Sequence, residues 1–293
     1  MFEITIKATM SSMNSRFISY NIKPLIVVIL LFIFTFNMYS PKIMINNQRI
    51  SHQLSNKTNN PKVITSENAA VIVEFRSTPL LVTVILNIIQ NIPEDWPAQI
   101  FHTTSNSQFI RTSRLAKYIQ TGKIILTQLD EYSGSFAHYI NLLFGNISFW
   151  QLVQGEKSQF FQIDSIMCSN SPHKITDYLE YDYVGAPWAH FQGLVGNGGF
   201  SLRSKSKTIT LLQKTFNSSS RYDGNENEDV WYARNMPTVG HVAPSHVAKS
   251  FAVETIFYPY PMGVHKTELR VTELKQLCDV CPEARLVLPF CKS

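Results

Sequence analysis

The sequence predicts a mixed α/β fold in which a mostly parallel sheet is flanked by helices, behind one N-terminal transmembrane helix. Short apolar segments alternate with helix-like segments over residues 70–164, and this alternation is typical of parallel sheets covered on both faces. The composition agrees, because 44% of the residues are hydrophobic and 16% are charged, as in packed globular proteins.

The alternating segments can be assigned in order along the chain. The predicted strands are 71–76, 99–102, 123–129 and 159–163, and the predicted helices are 79–89, 111–118, 136–144 and 149–153. Beyond Asp164 the alternation gives way to segments rich in Tyr, Pro and Gly. We therefore expect one domain over 69–293 that consists of two halves, 69–164 and 165–293, the second with a cysteine-rich C-terminus.

An uncharged apolar run over residues 24–39 precedes this domain. As a helix it would be about 24 Å long at ~1.5 Å per residue, and we interpret it as a transmembrane signal anchor after a short cytoplasmic tail, 1–23. A cleaved signal peptide is the alternative, but no clear small-x-small site follows the run. Residues 40–68 are rich in Asn, Ser, Lys and Gln, which predicts a flexible stem.

The remaining signals favour a lumenal domain. Asn56, Asn146 and Asn217 each begin an N-glycosylation acceptor triplet. We therefore expect a single-pass type II protein of the Golgi or endoplasmic reticulum membrane. The net charge of +5 is partly N-terminal and includes no basic face dense enough for nucleic acid.

Cysteine usage points to the same compartment. Cys278, Cys281 and Cys291 cluster near the C-terminus, and Cys168 stands apart. Four cysteines allow three pairings, among which the sequence does not choose. A zinc site at Cys278 and Cys281 is the alternative, but no histidine follows them, so we favour a C-terminal disulfide.

The first candidate for chemistry is the end of the predicted strand 159–163. Side chains two apart on a strand face the same way, so Gln162 and Asp164 are predicted to project together beyond it. A carboxylate there can bind a divalent cation. An Asp that merely closes a turn is the simpler interpretation.

A glycine-rich segment follows in the second half. Gly196, Gly198 and Gly199 surround Asn197 before a strand-like segment, and glycines permit close approach of backbone and ligand. Trp188, shortly before, has a face on which a sugar ring can stack. A plain turn accounts for the glycines equally well.

Two acidic residues and one histidine complete the candidates. Asn227 is a plausible N-cap that places Glu228 and Asp229 in a first helical turn. The helix dipole favours carboxylates there, and the functional alternative is a general base. His265 is either a structural loop residue or a metal ligand, since imidazole suits Mn or Zn.

The order of these motifs is more informative than any one of them. Five motifs follow one another along the chain: a strand ending at Asp164, then Gly-Ala-Pro-Trp, Asn-Gly-Gly-Phe-Ser-Leu-Arg, Glu-Asp-Val and Gly-Val-His-Lys. This series resembles an uncharacterised family of glycosyltransferase-like proteins with the GT-A (Rossmann-type) fold. It is more distantly similar to β-1,4-galactosyltransferases. The resemblance covers about residues 71–266.

The resemblance implies a nucleotide-sugar donor bound by the first half, a glycan, lipid or protein acceptor bound by the second, and a divalent cation, which we expect to be Mn. By motif, Asp164 and His265 correspond to metal ligands, and Asp229, or else Glu228, to the catalytic base of an inverting enzyme. The implied substrate-binding residues are Arg76, Gln162, Trp188, Asn197, Gly198, Gly199 and Trp231.

Gln162 departs from the family pattern, because it places a neutral amide where the Asp-x-Asp motif has its first carboxylate. Cation binding is therefore expected to be weaker. An inverting glycosyltransferase is the favoured hypothesis, and a non-catalytic carbohydrate- or nucleotide-sugar-binding protein of the same fold is the alternative. A hydrolase that pairs Asp164 with Glu228 is a third, weaker one.

Overall fold

The computed structural model describes residues 66–191 and 193–292. The predicted cytoplasmic tail and transmembrane anchor, and nearly all of the predicted stem, lie outside the described residues. Within the described part of the chain, no helix is long and apolar enough to cross a membrane.

Two β-sheets organise the described residues. The strands are β1 Asn68–Val73, β2 Ala98–His102, β3 Ile124–Gln128, β4 Lys157–Phe161, β5 Ser165–Met167, β6 Tyr183–Gly185, β7 Phe200–Ser204, β8 Ala252–Val253 and β9 Gly263–His265. The central sheet has the order β3-β2-β1-β4-β7-β6, and the small sheet has the order β5-β9-β8. In the central sheet β3, β2, β1 and β4 are parallel, whereas β7 is antiparallel to both of its neighbours. The predicted mostly parallel sheet is thus confirmed.

Helices occupy the connections. They are α1 Pro79–Asn91, α2 Thr104–Thr112, α3 Ala116–Gln120, α4 Phe136–Phe144, α5 Ile147–Leu152, α6 Lys205–Thr215, α7 Glu228–Asn235, α8 Ser245–Phe251 and α9 Val271–Val280. Short 3-10 turns are Ile175–Tyr178, Met236–Thr238, Pro282–Leu286 and Pro289–Lys292. Helix α1 begins where the side chain of Thr78 accepts a hydrogen bond from the backbone N–H of Leu80, as expected of an N-cap.

Both faces of the central sheet are covered. On β1, Ala70 and Ile72 pack into one apolar cluster, while Val71 and Val73 pack into another on the opposite face, because successive side chains of a strand point to opposite faces. Helix α1 contributes to the first cluster, and α4 and α5 contribute to the second. A strand buried on both faces is expected to be continuously apolar, which explains the sequence of β1.

The small sheet joins the middle of the chain to its C-terminal part. Strand β5 follows β4 after a short turn, and it pairs antiparallel with β9, so that Ser165 lies opposite His265. Disulfide bonds link Cys168 with Cys281 and Cys278 with Cys291. The first connects the end of β5 to the C-terminal helices, and with no cysteine of the described residues left free, the alternative of a zinc site there is wrong.

Two local predictions differ from the structure. The predicted helix 111–118 is in fact the end of α2 and the start of α3, because the Ser113 hydroxyl donates to the carbonyl of Ile110 and accepts from the N–H of Leu115. The predicted strand 159–163 ends at Phe161. Gln162 and Asp164 therefore do not share a strand face.

Candidate active site

A cleft of about 420 Å³ opens beyond the carboxyl ends of β1 and β4. Strand β7 begins at the same edge, since Phe161 lies opposite Phe200. The residues that line the cleft are Val73, Glu74, Arg76, Leu80, Phe136, Ala137, Ile140, Asn141, Gln162, Ile163, Asp164, Asn197, Gly198, Gly199, Asn227, Glu228, Asp229 and His265. Ligands of open α/β sheets bind at this edge, so the fold brings most of the predicted site residues to the expected place.

Asp164 and His265 face each other in the cleft. The turn after β4 is closed by Ser165, whose N–H and hydroxyl both donate to the carbonyl of Gln162, and this turn presents Asp164. Asp164 Oδ1 lies 3.4 Å from His265 Nε2. On the other side of the ring, His265 Nδ1 lies 3.4 Å from Glu254 Oε1.

The charges of this trio perturb one another. Burial lowers the pKa of His265, but Asp164 and Glu254 raise it more strongly, to about 9. Burial alone would raise the pKa of Asp164, and the neighbouring His265 holds it below its ordinary value. Each carboxylate thus stabilises the imidazolium in the ligand-free protein.

The Asn197–Gly199 segment lines the cleft. The N–H of Gly199 donates to Asn197 Oδ1 at 3.0 Å, and Asn197 Nδ2 donates to Glu254 Oε1 at 2.7 Å. A Cβ atom on Gly199 would lie 2.2 Å from His265 Nε2, and one on Gly198 would lie 2.4 Å from Glu228 Oε1. The glycines are therefore required for close packing against the acidic and imidazole side chains.

Asp229 and Glu228, adjacent in the first turn of α7, differ in their surroundings. Asp229 Oδ2 accepts a hydrogen bond from the N–H of Gly198 at 3.0 Å, and the residue is partly exposed to the cleft. Glu228 is buried, and its two carboxylate oxygens accept from Arg203 at 2.7 and 3.0 Å. Of the two predicted bases, only Asp229 has a carboxylate that is available to a substrate.

Arg203 holds Glu228 from within the core. Its guanidinium is fully buried and lies within 4.9–5.4 Å of the ring centroids of four aromatic residues. These residues are Phe144, Phe160, Tyr183 and Tyr232. Burial raises the pKa of Glu228, and the charge of Arg203 opposes that rise. This ion pair anchors the N-terminus of α7 and thereby the position of Asp229.

Arg76 also lines the cleft, where Glu74 and, more weakly, Asp164 raise its pKa. It is largely exposed, and it donates to both carboxylate oxygens of the buried Glu74, at 2.8 and 2.6 Å. Its guanidinium lies 5.8 Å from the ring centroid of Phe136. Leu80 and Ile140 are also part of the lining, which therefore combines apolar surface with the exposed cation of Arg76.

Two predicted substrate-binding residues are absent from the cleft lining. Trp231 is 3% exposed, packs against Tyr222 and Tyr232, and donates its indole N–H to the carbonyl of Ser220. Trp188 is 6% exposed and packs against Phe191. Both rings are core residues, so neither face is open for stacking on a sugar. Gln162, by contrast, is exposed and lines the cleft.

Sequence reasoning missed several residues that shape the cleft. Glu74 and Phe136 line it, and Glu254 and Arg203 support it from outside. Glu74 follows the apolar β1 directly, and an acidic residue at the carboxyl end of a parallel strand is a usable signal. Glu254 follows a two-residue strand and carries no comparable signal.

The donor set for a cation is small. Among the described residues, no group of three or more His, Cys, Asp and Glu is arranged to hold a metal ion. Asp164 and His265 nevertheless provide one carboxylate and one imidazole at one point of the cleft, and both ring nitrogens are buried without an ordinary hydrogen bond. Two protein ligands suit a cation whose other positions are filled by water and substrate phosphates.

Residues 124–265, just under half of the 293-residue chain, match a family described as a protein of unknown function, DUF5672. The sequence has no significant match among curated proteins.

Among solved structures the chain is similar to several glycosyltransferases. The apo form of GlyE from Streptococcus pneumoniae TIGR4 matches with a TM-score of 0.47 and 13% identity, over 68% of this chain and 54% of that chain. The mannosyltransferase PcManGT from Pyrobaculum calidifontis, in complex with GDP-Man and Mn²⁺, matches with a TM-score of 0.42 and 11% identity, over 67% and 60%. The chain thus spans little more than half of the length of these proteins, and the likeness concerns the coarse arrangement of the backbone.

Proposed function

We propose that the chain is a glycosyltransferase that moves a sugar from a nucleotide-sugar donor to an acceptor hydroxyl with inversion. The observation that carries this proposal is the convergence of Asp164, His265, the Asn197–Gly199 segment and Asp229 on one cleft at the carboxyl edge of the parallel strands. The cleft offers a candidate cation site at one point and a partly exposed carboxylate at another, and a metal-assisted inverting transfer uses both.

In this proposal Asp229 is the general base. Its Oδ2 is held by the N–H of Gly198, and its Oδ1 accepts from the N–H of Val230 at 2.8 Å. These bonds orient the carboxylate toward the cleft, where it accepts the proton of the acceptor hydroxyl as the oxygen attacks the anomeric carbon. The bond from that carbon to the diphosphate breaks on the opposite face, and the pair of electrons leaves with the diphosphate.

The other cleft residues bind and orient the donor. Arg76 and the apolar surface beside Phe136 suit the nucleotide, because a guanidinium pairs with phosphate and an aromatic ring packs against a base. Asn197 and the backbone at Gly198 and Gly199 suit the donor sugar. Asp164 and His265 would hold a divalent cation, in our proposal Mn²⁺, which when bound neutralises charge on the diphosphate.

We also propose that the protein is a type II protein of the Golgi or endoplasmic reticulum membrane, with the described domain in the lumen and residues 24–39 as its anchor. Disulfide bonds persist mainly in oxidising compartments, and the two disulfides of the described residues support this placement.

Asp229→Asn tests the proposed base. The first step is a thermal-shift screen of the full-length chain against sugar nucleotides with Mn²⁺, followed by a transfer assay with the stabilising donor and an acceptor array. Asp229→Asn should bind that donor as the wild type does and lose transfer by at least ~100-fold, since a positioned base contributes typically 10²–10⁴-fold. Unchanged transfer would refute the assignment of the base.

A non-catalytic nucleotide-sugar-binding protein is the second candidate. The neutral side chain of Gln162 favours this candidate. In the turn after β4 it leaves Asp164 to supply the carboxylate of the cation site, so cation binding is expected to be weaker. Donor binding without transfer or donor hydrolysis over the whole array supports this candidate. The hydrolase hypothesis is disfavoured, because its second carboxylate, Glu228, is held at both oxygens by Arg203.

A further inference from the structure

Glu254 lies behind the cleft and contacts two of its residues. Its side chain is 12% exposed, and its Oε1 atom both accepts from Asn197 Nδ2 at 2.7 Å and lies 3.4 Å from His265 Nδ1. Its Oε2 atom is buried without a hydrogen-bond partner among the described residues. One carboxylate group therefore connects the glycine-rich segment with the imidazole.

The imidazole of His265 is confined on three sides. Glu254 faces Nδ1, Asp164 faces Nε2, and the ring packs so closely on Gly199 that a Cβ atom there would lie 2.2 Å from Nε2. A neutral imidazole that ligates a cation through one nitrogen carries its hydrogen on the other, and the partner of that N–H sets the tautomer. In this geometry Nε2 is the nitrogen beside Asp164, and Glu254 can accept a hydrogen bond from Nδ1–H.

We propose that Glu254 is a positioning residue that keeps the Nε2 lone pair of His265 directed at the cation site beside Asp164. By holding Asn197 with the same oxygen atom, it also ties the orientation of the imidazole to the Asn197–Gly199 segment. This inference rests on the metal-assisted function proposed above, but it concerns the ligand geometry and not the transfer itself.

A glutamine at this position separates positioning from simple packing. Glu254→Gln keeps the size of the side chain, but only one of its amide atoms can take the position of Oε1, which contacts both Asn197 Nδ2 and His265 Nδ1. An amide oxygen there still accepts from Asn197 but has no charge to hold the hydrogen on Nδ1. An amide nitrogen there donates to Nδ1 and favours the tautomer with its hydrogen on Nε2, which presents no lone pair to a cation beside Asp164.

The test measures metal coordination in the full-length chain. The probe is Mn²⁺ with inorganic pyrophosphate, which represents the part of the donor shared by all nucleoside diphosphate sugars. Calorimetry measures the affinity, and pulsed EPR measures the coupling of Mn²⁺ to a directly bound imidazole nitrogen. Glu254→Gln should bind the probe about 10–100-fold more weakly and show a reduced nitrogen coupling. Glu254→Asp retains the charge but has a shorter side chain, so its affinity and coupling should lie between those of the wild type and those of Glu254→Gln.

Glu268→Gln is the matched control, because it makes the same chemical change at an exposed position two residues beyond Lys266. It should show the wild-type affinity and coupling. Glu254→Gln with both wild-type properties overturns the inference, as does a wild-type protein without nitrogen coupling. If Glu254→Gln fails to fold, the Asp variant decides: wild-type affinity and coupling in it overturn the inference. Sugar transfer in the absence of any cation would support the proposed function and refute this inference. Metal coordination that depends on Glu254, in a protein that transfers no sugar, would support this inference and refute the proposed function.

Discussion

The ion pair of Arg203 and Glu228 provides a sharp test of how the cleft is supported. Glu228→Gln removes the charge that neutralises a guanidinium with no solvent exposure. Removing one partner of a buried ion pair costs about 3–5 kcal/mol, because the other charge remains buried. Four aromatic rings within 4.9–5.4 Å still attract the guanidinium, so we expect a loss near the lower end, about 3 kcal/mol.

The assay is urea unfolding at neutral pH followed by tryptophan fluorescence, with the disulfides intact. Arg203→Met leaves Glu228 buried and unpaired, and the double variant Arg203→Met/Glu228→Leu leaves no charge. The double variant should be more stable than either single variant, since replacement of both charges by apolar groups is often neutral. Burial raises the pKa of Glu228 above 4.5, so the deficit of Arg203→Met should grow as the pH rises above that value.

An unfolding midpoint of Glu228→Gln equal to that of the wild type would refute this reasoning. So would a double variant whose deficit is the sum of those of Arg203→Met and a Glu228→Leu single variant, because the two charges would then be energetically independent. Donor-dependent transfer offers a second measurement. It should fall in Glu228→Gln even below the unfolding transition, since the first turn of α7 presents Asp229.

Three further predictions follow from the cleft and the disulfides. The pKa of His265 is raised from 6.5 to about 9, which should stabilise the metal-free protein by up to about 3 kcal/mol below pH 6.5. This stabilisation should be lost as the pH rises through 9, and it should be absent in His265→Gln. Thermal melts at several pH values would measure both effects. Gly199→Ala should destabilise the fold by about 1–3 kcal/mol and weaken Mn²⁺ binding, because its Cβ displaces His265; equal melting and binding would contradict this. Cys281→Ser should cost more stability than Cys291→Ser, about 4–5 against about 3 kcal/mol, because the first disulfide spans a sequence separation of 113 and the second one of 13; urea unfolding would reveal a reversed order.

The central sheet and several helices were accessible from local patterns. Helix α4 has the predicted bounds, 136–144, because an apolar helical repeat is uninterrupted there, and α1 begins at Pro79 as predicted from a proline at a first helical position. The Asn-Glu-Asp sequence also placed Glu228 and Asp229 correctly in a first helical turn.

Partners distant in sequence could not be predicted in this way. Nothing local distinguishes Asp229 from Glu228. Arg203, which belongs to β7, pairs with Glu228 and leaves Asp229 as the carboxylate that is partly exposed to the cleft. Trp231 is aromatic and lies beside the site in sequence, but the helical rotation of α7 directs its ring toward Tyr222 and the core. Glu254 is separated by 57 residues from its partner Asn197, and no periodicity connects them.

The pairing of β5 with β9 affects the order in which the chain can fold during synthesis. Strand β5 ends at Met167, whereas its neighbour β9 begins at Gly263, so the ribosome must add about a hundred residues between them. At roughly 5–20 residues per second this takes about 5–20 s, during which the central sheet can form while β5 has no neighbour. The turn that bears Asp164 therefore reaches its final environment late, when the last part of the chain has emerged.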